Sequence, residues 1–238
     1  MDITEVNQLK NWGHFCPTKA TDPEKDKEFQ SQSLSTLREM LSLIQQGKML
    51  GRVAAHRLAL GRKKLKNPMA ALCNDKNCHD ALLDAVAIQQ SLVETAGEEK
   101  AEAFWRRCIQ DKDLGALIVA DFFPTVEDFL QFDDPFEALS AYMIEYFEAN
   151  VRGGLMRIEV VENSHDEFRV DVVDCFFHQT AVELNQPKLY SYISRGDDIF
   201  FPKLGIPQTG KPFAIYERQG TLCRNDRACD WRYHRYKG

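Results

Sequence analysis

The chain reads as an α+β protein, a helical N-terminal half packed with a small antiparallel sheet of two hairpins and an intervening helix. Two observations predict this. Apolar residues recur at helical spacing as far as Gly153-Gly154, and from Leu155 the period changes to alternation. Hydrophobic residues make up 44% of the chain and charged residues 28%, a composition able to bury a sizeable core.

Residues 1–28 are polar and rich in Lys, Asp, Thr and Pro and read as an N-terminal arm, with Trp12, Phe15 and Cys16 as its docking points. Residues 29–153 form the helical region. Leu34, Leu37, Leu41 and Ile44 mark a first helix that Gly47 should stop. A second runs to about Leu65 and ends at Asn67-Pro68. Amphipathic stretches follow over Asp80–Thr95 and Ala101–Ala120, the latter carrying Phe104, Trp105, Ile109 and Leu117. Phe136, Leu139, Met143, Tyr146 and Phe147 mark a fifth helix.

Residues 154–238 form the α+β region. Met156, Ile158 and Val160 alternate, Asn163–Asp166 turns the chain, and Phe168, Val170 and Val172 alternate again, as a hairpin does. A short helix is expected over Phe176–Leu184, then a loop holding Asp197-Asp198, then a Gly/Pro-rich loop over Pro202–Pro212. The second hairpin pairs Phe213–Leu222 with Cys229–Tyr236 through a turn at Arg224–Arg227. Cys229, Trp231 and Tyr233 then share one face, and Asp230 and Arg232 the other.

A net charge of −6 opposes nonspecific attraction to nucleic acid. The one basic cluster, Arg52–Lys66, reads as a solvated helix face. No stretch reaches the roughly 18 apolar residues needed to cross a bilayer, and the N-terminus lacks the pattern of a secretory signal. Seven cysteines at irregular spacing fit reduced thiols in a cytoplasm better than a disulfide framework.

Cys175 stands where a strand hands over to a helix. Unpaired N–H groups there favour a thiolate and hence a nucleophile; the alternative is a small buried hydrophobe. Asp197 and Asp198 could bind a cation, cap a helix or transfer protons. Of the two, Asp198 adjoins the apolar Ile199-Phe200-Phe201, whose dryness would raise its pKa. Cys73, Cys78 and His79 have near-ligand spacing but lack a second pair, so metal is weakly supported and no cofactor is expected; the rival is a helix start capped by Asn74-Asp75.

In order, VDVVDC, a helix ending near NQPKL, GDDIFF, YERQGTL and ACDWRYH resemble the L-2-amino-thiazoline-4-carboxylic acid hydrolase family over about residues 168–235. Ser194-Arg195-Gly196 stands where a cysteine often precedes the loop Asp in that family. The resemblance implies an enzyme that adds water at the C–N bond of a cyclic amidine and opens a 2-aminothiazoline to a carbamoyl-cysteine. It implies Cys175 as nucleophile, Asp198 at the amidinium or in proton transfer, and Arg218 as a clamp for the substrate carboxylate. Asp230 and Thr221 would orient these groups, while Cys229 and Asp197 complete the site. The alternatives are a non-catalytic small-molecule or metal-binding module, and an accessory protein whose helical half binds a partner enzyme through Phe122, Phe123 and Phe129.

Overall fold

The computed structural model describes residues 23–111 and 123–238. Most of the predicted arm, including Trp12, Phe15 and Cys16, lies outside them, as do Leu117, the end of the Ala101–Ala120 helix and Phe122. Helix α1 (Pro23–Met40) already begins within the predicted arm, at a proline whose fixed φ suits a first helical turn. Helix α2 (Leu43–Gly61) starts at Ser42, not after Gly47. Ser42 and Gln45 form a reciprocal capping box, and that local bonding outweighs the weak breaking tendency of Gly47.

Asn67 caps the short α3 (Pro68–Leu72), so Asn67-Pro68 ends one helix by starting another. Asp75 caps α4 (Lys76–Ala96), accepting from the backbone N–H of Asn77 and Cys78. The basic face of α2 meets acids of α4: Arg57 bonds Asp80 and Asp84, and Arg52 and His56 reach Glu94. Helix α5 (Glu98–Arg106) runs into a π turn over Arg107–Asp111, and α6 (Val126–Phe129) precedes α7 (Pro135–Arg152). No described helix is long and apolar enough to cross a membrane.

The sheet contains β1 (Met156–Asn163), β2 (Glu167–Cys175), β3 (Ala214–Glu217) and β4 (Cys229–Arg235) in the antiparallel order β1-β2-β4-β3. The two hairpins are therefore joined by pairing of β2 with β4. Phe168, Val170, Val172, Cys229, Trp231 and Tyr233 are buried on one face, as alternation predicts. Helix α7 lies on that face, with Phe147 stacked on Phe168 and edge-on to Trp231. The helical region and the sheet thus share one hydrophobic core. Phe123 and Phe129, expected at the surface, are in that core against Tyr142, because aromatic edges complete the packing there.

The opposite face is charged. Arg169 pairs with Asp171, and Arg232 with Glu167. Asp171 and Asp230 stand directly opposite across β2 and β4, a like-charge pairing relieved because each carboxylate has donors of its own.

Candidate active site around Arg218

Between the sheet hairpins run α8 (Phe176–Glu183) and α9 (Pro187–Phe200), followed by a 3-10 turn over Phe201–Gly205. The predicted short helix is α8. Asp197 and Asp198 sit not in a loop but on the last turns of α9, which continues because Pro187 starts it and Gly196 does not break it. Tyr190, Ser194 and Asp197 recur at intervals of four and three and so line one face, with Asp198 beside them.

That face meets Arg218. On β3, Ala214 and Tyr216 point inward, and continuing the alternation one residue past Glu217 sends Arg218 inward as well. Its side chain is 5% exposed. Nη1 donates to Asp197 Oδ2 at 2.9 Å, while Nη2 donates to Asp198 Oδ2 at 2.7 Å and to the Ser194 carbonyl at 2.7 Å. The guanidinium also lies 5.9 Å from the Trp231 ring. Arg218 is therefore tied to the two aspartates, and the expected split into an amidinium contact and a free carboxylate clamp does not hold. The chain supplies both charges to one knot, with two carboxylates to one cation.

Asp197 is a perturbed carboxylate. Loss of hydration pushes its carboxyl up to about 7 against the pull of Arg218, with Asp198 adding to the rise. The apolar run that follows does create the dryness, but Phe201 is the buried ring and Asp197 faces inward while Asp198 is exposed. The Asp197 side chain keeps 31% of its surface accessible, so a ligand can reach it.

Cys175 ends β2 beside the first turn of α8, as its sequence position suggests. It is not a thiolate. Burial pushes the thiol up to about 12, and the Tyr190 hydroxyl with the N–H groups of His178 and Phe177 offsets only part of this. Tyr190 Oη donates to the sulfur at 3.3 Å. In the competition between helix N-terminus and burial, burial wins because the sulfur is almost wholly out of water.

Cys229 lies within electrostatic reach of Cys175, Arg218 and Asp197. Its sulfur bonds the Thr221 hydroxyl at 3.5 Å and accepts from the backbone N–H of Leu222 at 3.3 Å. Cys229 is a free thiol. Asp230 points to the other sheet face and holds the strand exit after Arg218, accepting from the backbone N–H groups of Gln219 and Gly220. Gly220 is needed there, since a Cβ would stand 2.9 Å from the Ala228 carbonyl. Asp230 is thus a positioning group whose bonded oxygen is already engaged.

The seven residues singled out in the sequence come from β2, α9, the segment between β3 and β4 that holds Arg218 and Thr221, and β4, and are drawn to one region, Asp230 behind it. Tyr190, Ser194 and Tyr216 were not foreseen. Tyr216 was within reach of sequence reasoning, because the alternation that turns Trp231 and Tyr233 inward applies equally to its strand. Cys73, Cys78 and His79 do not gather: Cys78 is buried in the core, and His79 stacks on Phe176 at 6.0 Å. Among the described residues no three His, Cys, Asp or Glu side chains converge as a metal site.

No family model, curated protein or solved structure matches this chain.

Proposed function

We propose that the protein is a hydrolase of small cyclic amidines of the 2-aminothiazoline type, working at the Asp197–Arg218 knot. The observation that carries this reading is the pair of carboxylates held on one helix face by a buried arginine, with Asp197 poised near neutrality and still reachable. A group of that pKa can accept a proton and return it at neutral pH. Asp198 and the ionised fraction of Asp197 face one guanidinium, a charge balance that suits the amidinium end of the substrate.

In this mechanism Asp197 takes a proton from water as the water oxygen adds to the amidine carbon across its C=N bond. Because the substrate enters as the amidinium, its ring nitrogen already carries its proton; the neutral tetrahedral intermediate then collapses, and its hydroxyl proton passes to solvent as the urea carbonyl forms. A carbamoyl-cysteine product retains both nitrogens, so the ring bond that breaks is C–S, and the leaving thiolate recovers the proton from Asp197. Asp198 holds the amidinium, while Arg218 and Asp230 position the two carboxylates and the strand that carries the arginine. Cys175 is a neutral wall of the site and takes no part as a nucleophile.

Release of carbamoyl-cysteine from 2-aminothiazoline-4-carboxylate tests the reading. Asp197→Asn should lose at least about a hundredfold in kcat, and Cys175→Ala should retain turnover. For the wild type, kcat/KM should rise with pH through about 7 as Asp197 ionises. A wild type with no turnover sinks the hydrolase, and an inactive but folded Cys175→Ala restores covalent catalysis.

A further inference from the structure

Helix α2 turns its inner cations toward α4 and a broad apolar face toward water. Arg57 bonds Asp80 and Asp84 of α4, and Arg52 and His56 reach Glu94. On the opposite side, Leu43, Ile44, Leu50 and Leu58 are 84%, 73%, 64% and 64% exposed, more than any other large apolar side chain among the described residues. At about 100° per residue, Gly47, Gly51, Ala54 and Ala55 fall on that same face, and all are exposed. Between Leu43 and Leu58 the one charge on this side is Lys48 at its rim, and α2 carries no acid.

Nothing among the described residues explains the two glycines. Glycine weakens a helix interior, and a Cβ added at Gly47 or Gly51 would meet nothing within 4 Å. Bare backbone is useful there only if something outside the fold comes close to it, as a second helix does. A bilayer would gain from the leucines but little from glycine and alanine, and an acidic partner would find Lys48 alone within the face. Another α2 fits. Laid antiparallel with Gly51 at the crossing point, two such helices meet through Gly47, Gly51, Ala54 and Ala55. Leu58 of each copy then lies level with Ile44 of the other, and these larger side chains fill the space where crossing helices diverge.

We infer that a second copy of this chain docks antiparallel on α2, with Gly51 at the two-fold axis, to form a homodimer. The contact is isologous, the same patch meeting itself. Half the surface of a helix about 11 Å across and 28 Å long is about 500 Å², against about 800 Å² per partner in a standard interface. A face of that size supports a reversible dimer with Kd in the micromolar range, not a permanent one. The Arg218 knot takes no part in it, so the dimer stands or falls separately from the proposed hydrolase.

The test is sedimentation velocity of the full chain from about 1 to 300 µM, on the wild type, Gly51→Glu and Leu58→Glu, with thermal unfolding alongside. The expected result is a monomer–dimer equilibrium in the wild type that each variant weakens at least tenfold, about the least that like charges brought together at a two-fold contact should cost. Both substitutions are on the exposed face, so Tm at a dilution where all three are monomeric should change little. Gly51→Cys supplies a positive signal: under mild oxidation its two copies should cross-link at the axis well above the wild-type background. A wild type that stays monomeric throughout overturns the inference, and so does a dimer that both variants leave intact or that Gly51→Cys fails to cross-link. Binding of the monomer to phosphatidylserine vesicles, lost in Leu58→Glu and with no dimer in solution, would assign the face to a bilayer and overturn it as well.

Discussion

Replacing Asp197 by asparagine isolates the electrostatics of the Arg218 knot. The side chain keeps its shape and loses only its titration. In the unfolded chain the carboxyl ionises near 3.8, whereas in the folded protein it does so at about 7. Between those values the folded state holds the extra proton, so this group's contribution to stability is full below 3.8 and is lost as pH rises through about 7. The interval is worth at most about 4 kcal/mol, reduced by the solvent that reaches the carboxylate. Urea unfolding of wild type and Asp197→Asn at a series of pH values from 4 to 8 gives the difference directly, since other groups cancel. The variant should gain on the wild type by up to about 1.4 kcal/mol per pH unit, levelling off above pH 7. The opposite trend, with the wild type gaining as pH rises, would mean that attraction to Arg218 outweighs dehydration and would refute the reasoning.

Three further expectations concern neighbouring parts of the fold. Arg218→Met leaves two adjacent carboxylates without their cation and should destabilise the protein by about 3–5 kcal/mol; in chemical denaturation, a loss under 1 kcal/mol would show that the knot does not hold this end of the molecule together. Iodoacetamide at pH 8, followed by peptide mass mapping, should label the half-buried Cys73 and Cys223 before Cys175, whose burial and raised pKa keep it unreactive; early labelling of Cys175 would contradict the neutral thiol. Ser42→Ala should cost about 1 kcal/mol through loss of the capping box, while Gly47→Ala, with nothing within 4 Å of its added Cβ, should stabilise by about 0.5–1 kcal/mol. A destabilising Gly47→Ala would place the helix break back at the glycine.

The sequence by itself determined the class of the fold and most of its faces. Period alone separated the helical half from the strands, and alternation placed Phe168, Val170, Trp231 and Tyr233 on the buried face, because that pattern is a property of local backbone geometry. It could also name residues that the fold would gather, since short motifs in order carry chemical type. What it could not supply was the pairing of those residues. Gly196 looked like the entrance to a loop, yet α9 runs through it and turns Ser194 and Asp197 toward β3. That contact joins residues 21 positions apart. Only tertiary structure decided that Arg218 spends its donors on Asp197, Asp198 and Ser194. The burial of Cys175 was equally out of reach, because the pKa of a thiol depends on how much water the whole fold removes, and helix position fixes only the smaller opposing effect.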